Sequence, residues 1–583
     1  MWMTLICGTL ASVGAATPIG LTLARGETTP YTIVLPAEPD ALEELAATEL
    51  RDTVRQMCGA EMPITREGDS PARSHRVLIG NVGELDRLLP DLESASLGDQ
   101  GFALRTRGRC LVVVGGSPLA TLYGVYTLLE EHLGCVWCSS SVTYVPRVRT
   151  VQVPPLNEIC RPAFRWREVY YHDAMDPTLT RRLRLNGNAS ETGGGRVTNE
   201  RHAGWNLWVH TFYALVPPDR YANDHPEYFS LVGGQRRADL QLCLTNPDVL
   251  RITIESLRRR MADDPETLYW SVSQNDTGGP CECPQCEAID EREGTHMGSL
   301  LEFVNQIARA FPEKQISTLA YQYTRKPPKT LRPEPNVAIM LCSIECNRSL
   351  PIADDPSSAS FRDDIVRWSE LSDNLQVWDY VVQFSNLVSP FPNLHVLQPD
   401  MRFFRNHHVT AMFSQGNREC CGELAELRTY LLAHLQWDPD RDTAALTERF
   451  LRAYYGAAAE PIGQYISEMH DALRASGAGL GIFGSPKEHA GGYLSPERLD
   501  RYHRLFDEAE RLAASNTELI GRVRAAHMPL QYAMLELGHG DVTFRRSVAE
   551  SLFATAQAVG LRMFNEWNLP TEEYRRRVDE LLQ

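Results

Sequence analysis

Between residues 161 and 420, short apolar segments alternate with amphipathic ones, and this alternation constrains the chain more than any other feature. Eight segments read as strands: "FRWREVYY", "NLWVHTF", "LQLCLTN", "LYWSVSQ", "ISTLAYQY", "VAIMLCSIE", "LQVWDYVVQF" and "TAMFSQG". Between them lie helical patterns such as "GSLLEFVNQIARAF", which puts Leu300, Phe303, Val304, Ile307 and Phe311 on one stripe. Strands this apolar are buried on both faces, as in a parallel sheet wrapped by helices. Eight such repeats in about 260 residues predict an α/β fold of the (β/α)₈ TIM-barrel type.

The flanking regions read differently. Residues 18–158 predict an α+β domain. "YTIVLP" is a strand, and the helix over "DALEELAATELRDTVRQMCG" opens on a capping box at Asp40 and Glu43 and stops at Gly59. "GFALRTRGRCLVVVGG" predicts a hairpin turning at Arg107-Gly108, and Ser117-Pro118 starts a further helix. After residue 420 only helical patterns remain, which predicts a helical domain over 421–583. The first 17 residues contain an apolar run followed by small residues, and are read as a signal peptide for export to the periplasm or the exterior. No other segment is apolar for long enough to span a bilayer. A net charge of −17 argues against nucleic acid or an anionic surface as partner.

In a barrel the chemistry sits on the loops that follow the strands. That rule selects Asn275 and Asp276 after the fourth strand, Glu345 after the sixth, Trp378, Asp379 and Tyr380 on the seventh, and Gln415 on the eighth. Trp208 and His210 follow the second strand and Tyr323 the fifth. Acids among Trp, Tyr and amide side chains suit a sugar. Aromatic rings stack on the apolar faces of pyranoses, amides bond the hydroxyls, and glycosidic cleavage needs two carboxyl groups in different environments. Asp276 and Glu345 are therefore the expected catalytic pair, in either assignment of roles, and the others are expected to bind substrate. A bland reading stays open for each: Arg348 could simply pair with Glu345, and Asp379 could be a bonded acid in a packed strand.

Cys281, Cys283 and Cys286 follow Asp276 in "GGPCECPQC". Three thiols in one loop fall one short of a structural zinc site. Cys243, Cys342 or Cys346 could complete it, and a disulfide is equally open. Either would stiffen the loop beside Asp276, and no cofactor is expected at the active site itself.

"YWSVSQNDTGGPCECPQCEAID", "VWDYVVQFSNLVSPFPNLHVLQPDMRFFRNHHVTAMFSQGN" and "ELRTYLLAHLQWDPDRD" resemble the family catalogued as domain of unknown function 4838. "AATELRDTVRQMCGAEMPI" and "LYGVYTLLEEHLGCVW" resemble the N-terminal domain of α-glucuronidases. Some members of the barrel family form glycoside hydrolase family 163, endo-β-N-acetylglucosaminidases that retain configuration with help from the substrate's 2-acetamido group. The resemblance thus implies a glycosidase acting on N-acetylglucosamine-containing oligosaccharides or glycoprotein glycans. One position departs from it: members read Phe-Glu-Gln-Gly where this chain has Phe413-Ser414-Gln415-Gly416. That departure keeps a non-catalytic glycan-binding protein in view. An exo-acting α-glucuronidase, with Arg325 or Arg348 holding a uronate, stays open as well, and so does a zinc-dependent hydrolase.

Overall fold

The computed structural model describes residues 20–69, 75–187 and 204–583, so the expected signal peptide over 1–17 lies outside the described residues. The chain divides into two compact units: residues up to 135 with 145–161, and residues 136–144 with 162–583. Among the described residues no helix is long and apolar enough to cross a membrane.

The first unit is built on a mixed six-stranded sheet, in the order Asn157–Cys160, Phe102–Arg107, Cys110–Gly115, His75–Ile79, Tyr31–Leu35 and Ile64–Arg66. Its long helix, Ala41–Cys58, begins at the predicted capping box and ends on Gly59 with φ 86°. The helix buries Ala46, Leu50, Val54 and Met57, each contributing about 1–3 kcal/mol of apolar transfer.

The second unit holds nine strands relevant to the site: β1 (Trp166–Tyr170), β2 (Trp205–Asn206), β3 (Phe229–Val232), β4 (Gln235–Leu242), β5 (Tyr269–Ser271), β6 (Gln315–Ala320), β7 (Val337–Cys342), β8 (Leu375–Tyr380) and β9 (Val409–Gln415). Seven of them form one parallel sheet with hydrogen-bonded order β1-β9-β8-β7-β6-β5-β2. Among the described residues the ladder is open between β1 and β2, where Trp166 instead packs on Trp205 and Trp208 at ring distances of 5.7 and 5.5 Å.

The sheet lacks the expected third strand. "LQLCLTN" ends an antiparallel hairpin, β3–β4, that stands apart from the parallel sheet. The reason is legible in what precedes it. β4 reads Gln-Arg-Arg-Ala-Asp-Leu-Gln-Leu and alternates between exposed and half-buried until its last two residues. A strand buried on both faces cannot carry that row of charges. β2 is also shorter than expected, because Leu207 and His210 adopt φ of 57° and 55° and break the extended run.

Strand side chains alternate in direction, and one face of the sheet collects Trp166, Leu319, Tyr321, Met340, Cys342, Tyr380, Ala411 and Phe413 into a single apolar cluster with Trp205 and Trp208. The helix Met297–Ala310 buries Leu300, Phe303, Val304 and Ile307 of the predicted stripe, and Phe311, its last member, is buried at the C-cap just past the helix. After the helix Ala425–Trp437 the chain continues as six further α-helices, from Thr443–Tyr455 to Thr571–Leu581. They belong to the same compact unit as the parallel sheet.

Candidate active site

Strand termini of the parallel sheet open into a cavity of about 480 Å³. Asp276, His210, Tyr321, Cys342, Ile344, Trp378, Tyr380 and Gln415 contribute from the sheet and its loops. Phe384, Phe483, Glu566 and Trp567 complete the wall from segments further along the chain. A larger cleft of about 780 Å³ lies between the C-terminal helices. Of the acids lining it, Glu448 is exposed and paired with Arg452.

Asp276 sits on a loop that is braced from several sides. Gln274 donates to the Tyr321 carbonyl at 2.9 Å and accepts from Thr324 Oγ1 at 3.0 Å. Asn275 is buried, and its side chain donates to the Leu240 carbonyl at 2.8 Å and accepts from the Tyr213 amide at 3.3 Å. Gln241 of the hairpin closes the brace. Its Oε1 accepts from the Asn275 amide at 3.0 Å, and its Nε2 donates to the carbonyls of Asn275 and Thr277 at 3.0 and 2.7 Å. Asp276, between these anchors, is left exposed, and its Oδ1 accepts the Tyr321 hydroxyl at 3.2 Å. Burial and the adjacent Asp276 charge raise the Tyr321 hydroxyl well above its ordinary pKa, so it stays a donor.

His210 Nδ1 lies 2.9 Å from the Gln274 carbonyl. A carbonyl only accepts, so Nδ1 carries the proton and Nε2 of the neutral ring is an acceptor. The left-handed backbone of His210 is a costly conformation for a residue with a Cβ, and the bond from its amide to Ser273 Oγ at 2.9 Å helps to hold it. Trp378 Nε1 donates to Gln415 Oε1 at 2.6 Å, which fixes both side chains on the cavity wall.

The second carboxyl group in the cavity is Glu566, not Glu345. Glu345 is half exposed and forms an ion pair with Arg325 at 2.8 Å, rather than with Arg348. Arg325 also bonds Asp364 at 2.7 Å. Neighbouring Ile344 faces the cavity, so Glu345 stands at its edge, and its charge helps to raise the hydroxyls of Tyr321 and Tyr380. Glu566 comes from "FNEWNLP", where Asn565 Oδ1 accepts the amides of Trp567, Asn568 and Leu569 at 3.2, 2.9 and 2.9 Å. That turn is stitched to the segment after β8 by Glu566 N–H to the Phe384 carbonyl at 2.9 Å and Leu387 N–H to the Phe564 carbonyl at 2.8 Å. Burial raises the Glu566 pKa above the ordinary carboxylate value, against the pull of Arg418. Trp567 and Phe483 are half exposed and stacked, with centroids 6.0 Å apart and planes 17° off parallel.

Four expected substrate residues lie off the cavity wall. Strand alternation turns Asp379 to the face opposite Trp378 and Tyr380, where it accepts Ser343 Oγ at 2.8 Å and lies 3.9 Å from buried Arg348. Tyr323 lies two residues past Tyr321, in a helical turn after β6, and lines a separate narrow cleft with Gln241 and Cys281. Trp208 is buried against Trp166, Trp205, Trp378 and Phe413 and supports Trp378 from behind. Asn275 is likewise committed to bracing its own loop. Ser414 also turns away from the cavity, and its Oγ accepts from Gln436 Nε2 at 3.0 Å. Glu566, Trp567 and Phe483 lie beyond a rule that looks only at strand ends, although Asn565 and Asn568 in "NEWN" signal a tight turn.

The sulfurs gather beside this loop. Cys243, Cys281, Cys283 and Cys286 are buried and place their Sγ atoms within 4.8 Å of one another.

A parallel α/β sheet with two carboxyl groups and several aromatic rings converging past its carboxyl ends defines a small-molecule site of the kind such folds carry. The chain belongs to the family described as domain of unknown function (DUF4838), whose model matches residues 137–467, and residues 24–128 match the glycosyl hydrolase family 67 N-terminus. No curated protein matches it. Among solved structures, BtGH115A, described as a novel family GH115 4-O-methyl-α-glucuronidase with specificity for decorated arabinogalactans, is 12% identical with a TM-score of 0.56, covering 96% of this chain and 80% of its own. CpGH84B is 12% identical with a TM-score of 0.47, covering 97% and 98%. A GH138 enzyme targeting pectin rhamnogalacturonan II is 9% identical with a TM-score of 0.46, covering 95% and 98%. At such identity, the BtGH115A likeness is one of fold.

Proposed function

We propose that the chain is a glycoside hydrolase whose active site is the cavity holding Asp276 and Glu566. The observation that carries this reading is the pairing of two carboxyl groups of unlike environment in one aromatic-walled cavity. Glu566, its pKa raised above the ordinary carboxylate value by burial, is the proton donor to the leaving oxygen. Asp276 is the carboxylate on the other side of the reaction. Trp378 and Trp567 offer faces for pyranose rings, and Gln415 and His210 bond hydroxyls.

The substrate class in this reading is a glycan containing N-acetylglucosamine, cleaved with retention through the 2-acetamido group. An acetamido group presents one N–H donor and one carbonyl acceptor. Asp276 and the Tyr321 hydroxyl, 3.2 Å apart, supply the matching acceptor and donor side by side. Holding the amide this way aims its oxygen at the anomeric carbon, which removes the need for an enzymic nucleophile. A uronic-acid substrate is disfavoured, since no Arg or Lys is among the described residues lining the cavity. Arg348, one candidate for that role, is spent on the carbonyls of Tyr380, Cys346 and Ser343.

The test is a product-resolved screen on N-glycans, chitooligosaccharides and aryl β-N-acetylglucosaminides, run on the native chain and on Asp276→Asn, Glu566→Gln and Glu345→Gln. Cleavage is expected to fall by about a hundredfold or more in the first two, and far less in the third. A thiazoline analogue of the cyclised acetamido intermediate should inhibit. Full activity in Glu566→Gln with loss in Glu345→Gln would transfer the acid to Glu345. No cleavage of any substrate, with glycan binding retained, would make the protein a glycan-binding one.

A further inference from the structure

We propose that Cys243, Cys281, Cys283 and Cys286 bind one zinc ion, and that this ion fixes the loop bearing Asp276. Four thiols that all lie within 4.8 Å of each other, and are all buried, are a complete ligand set for a tetrahedral structural site. Zinc–sulfur bonds of about 2.3 Å put tetrahedral sulfurs about 3.8 Å apart. Cys243 and Cys283 Sγ are 3.6 Å apart, a ligand-to-ligand distance.

The sequence supplies three of these ligands in C-x-C-x-x-C, and the hairpin supplies the fourth just after β4. Of the three cysteines open as the fourth, Cys342 lies on the cavity wall, and Cys346 is outside the cluster.

The surroundings suit thiolates. The Leu231 amide points to Cys281 Sγ at 3.4 Å, and Arg236 Nη1 lies 3.8 Å from the same sulfur. Thr245 Oγ1 is 3.3 Å from Cys286 Sγ and 3.6 Å from Cys283 Sγ. Cys283 occupies the N-cap position of the helix Pro284–Glu293, and Cys286 sits in its first turn, where the helix dipole favours negative charge. Such hydrogen bonds and positive ends are the outer layer that tunes a metal's ligands.

Four protein ligands leave no open position, so the ion is structural, and a zinc-dependent hydrolase is not what this cluster builds. Its mechanical effect is specific. Cys281 lies five residues after Asp276, and Cys243 two residues after Gln241, which braces Asn275. The ion therefore ties the hairpin to the far end of the same loop.

The test uses the full chain, purified without chelators, and does not depend on activity. Elemental analysis should give one zinc per chain. An organomercurial should release that zinc to a chromogenic chelator. Cys281→Ser and Cys243→Ser should lose the metal, and Cys58→Ser, a cysteine outside the cluster, should keep it. Hydrogen exchange across residues 272–283 should speed up about tenfold or more when zinc is removed. Metal-free protein whose mass reports two disulfides among these cysteines would overturn the proposal, and so would iron with its visible absorption. If the serine variants fail to fold, the metal content and thiol titration of the native chain still decide. A hydrolase without zinc, or a zinc protein without hydrolase activity, would separate this proposal from the functional one.

Discussion

Gln241 is the most informative position for testing how the site is assembled, because it touches no ligand and still controls Asp276. Its carboxamide is buried and makes three bonds to backbone groups of the loop: one from the Asn275 amide and two to the carbonyls of Asn275 and Thr277. Gln241→Met keeps much of the volume and removes all three. The Asn275 carbonyl retains the Thr277 amide at 2.7 Å, but the buried Asn275 amide loses the acceptor it uses. An orphaned buried N–H costs about 1–3 kcal/mol, and each further net bond about 1 kcal/mol, so the loop is destabilised by about 3 kcal/mol. At 1.4 kcal/mol per tenfold, amides of residues 275–277 should exchange with solvent about a hundredfold faster. Gln241→Glu should be no better, because its carboxylate would face two carbonyl oxygens. Hydrogen exchange by mass spectrometry reads the effect directly, and hydrolysis should fall with it while the fold elsewhere keeps its protection. If Gln241→Met left exchange of this loop within a factor of two of the native chain, the bracing argument would be refuted.

Three other expectations follow from the same geometry. With Glu566 as the acid, hydrolysis should decline on the basic side as that carboxyl deprotonates, at a pH above the ordinary carboxylate range, and the residual activity of Glu566→Gln should lack that limb. Trp567→Ala removes one of the two half-exposed rings of the Phe483–Trp567 stack and should weaken glycan binding about tenfold, read by calorimetry, with little change in melting temperature; unchanged affinity would remove the stack from the site. Buried His470 accepts the Leu394 amide at 3.1 Å, and burial lowers its pKa from 6.5 to about 3. The unfolded chain then binds the extra proton between those values, so stability falls as pH drops below 6.5, by about 1.4 kcal/mol per pH unit; urea midpoints of His470→Asn should show a flatter slope across that window.

Much of the architecture is written in local patterns, and the exceptions have physical causes. The capping box at Asp40 and Glu43, the stop at Gly59 and the Leu300–Ile307 stripe are short-range signals, and each appears where read. "LQLCLTN" misled because its own composition is strand-like, while the charges of Arg236, Arg237 and Asp239 just upstream decide which kind of strand it is. At the site, position after a strand found Asp276, and strand parity separates Trp378 and Tyr380 from Asp379. Nothing local to "FNEWNLP" announces a carboxyl group in this cavity, because Glu566 reaches its wall through its turn's bonds to Phe384 and Leu387.

The same parity bears on Ser414. Gln415 and Phe413 face the interior of the sheet, so residue 414 faces the opposite way, against Gln436 of the helix Ala425–Trp437. A side chain there acts on how that helix seats against β9, not on a sugar. The departure from Phe-Glu-Gln-Gly therefore falls at a position that does not line the cavity. Off the parallel sheet, the cavity also draws on a hairpin amide at Gln241, four sulfurs beside the loop, and a turn that brings Glu566 to the wall that Asp276 also lines. A parallel sheet missing its third strand can hold a carboxylate in place only if something else holds the loop, and the hairpin that took that strand's sequence does so.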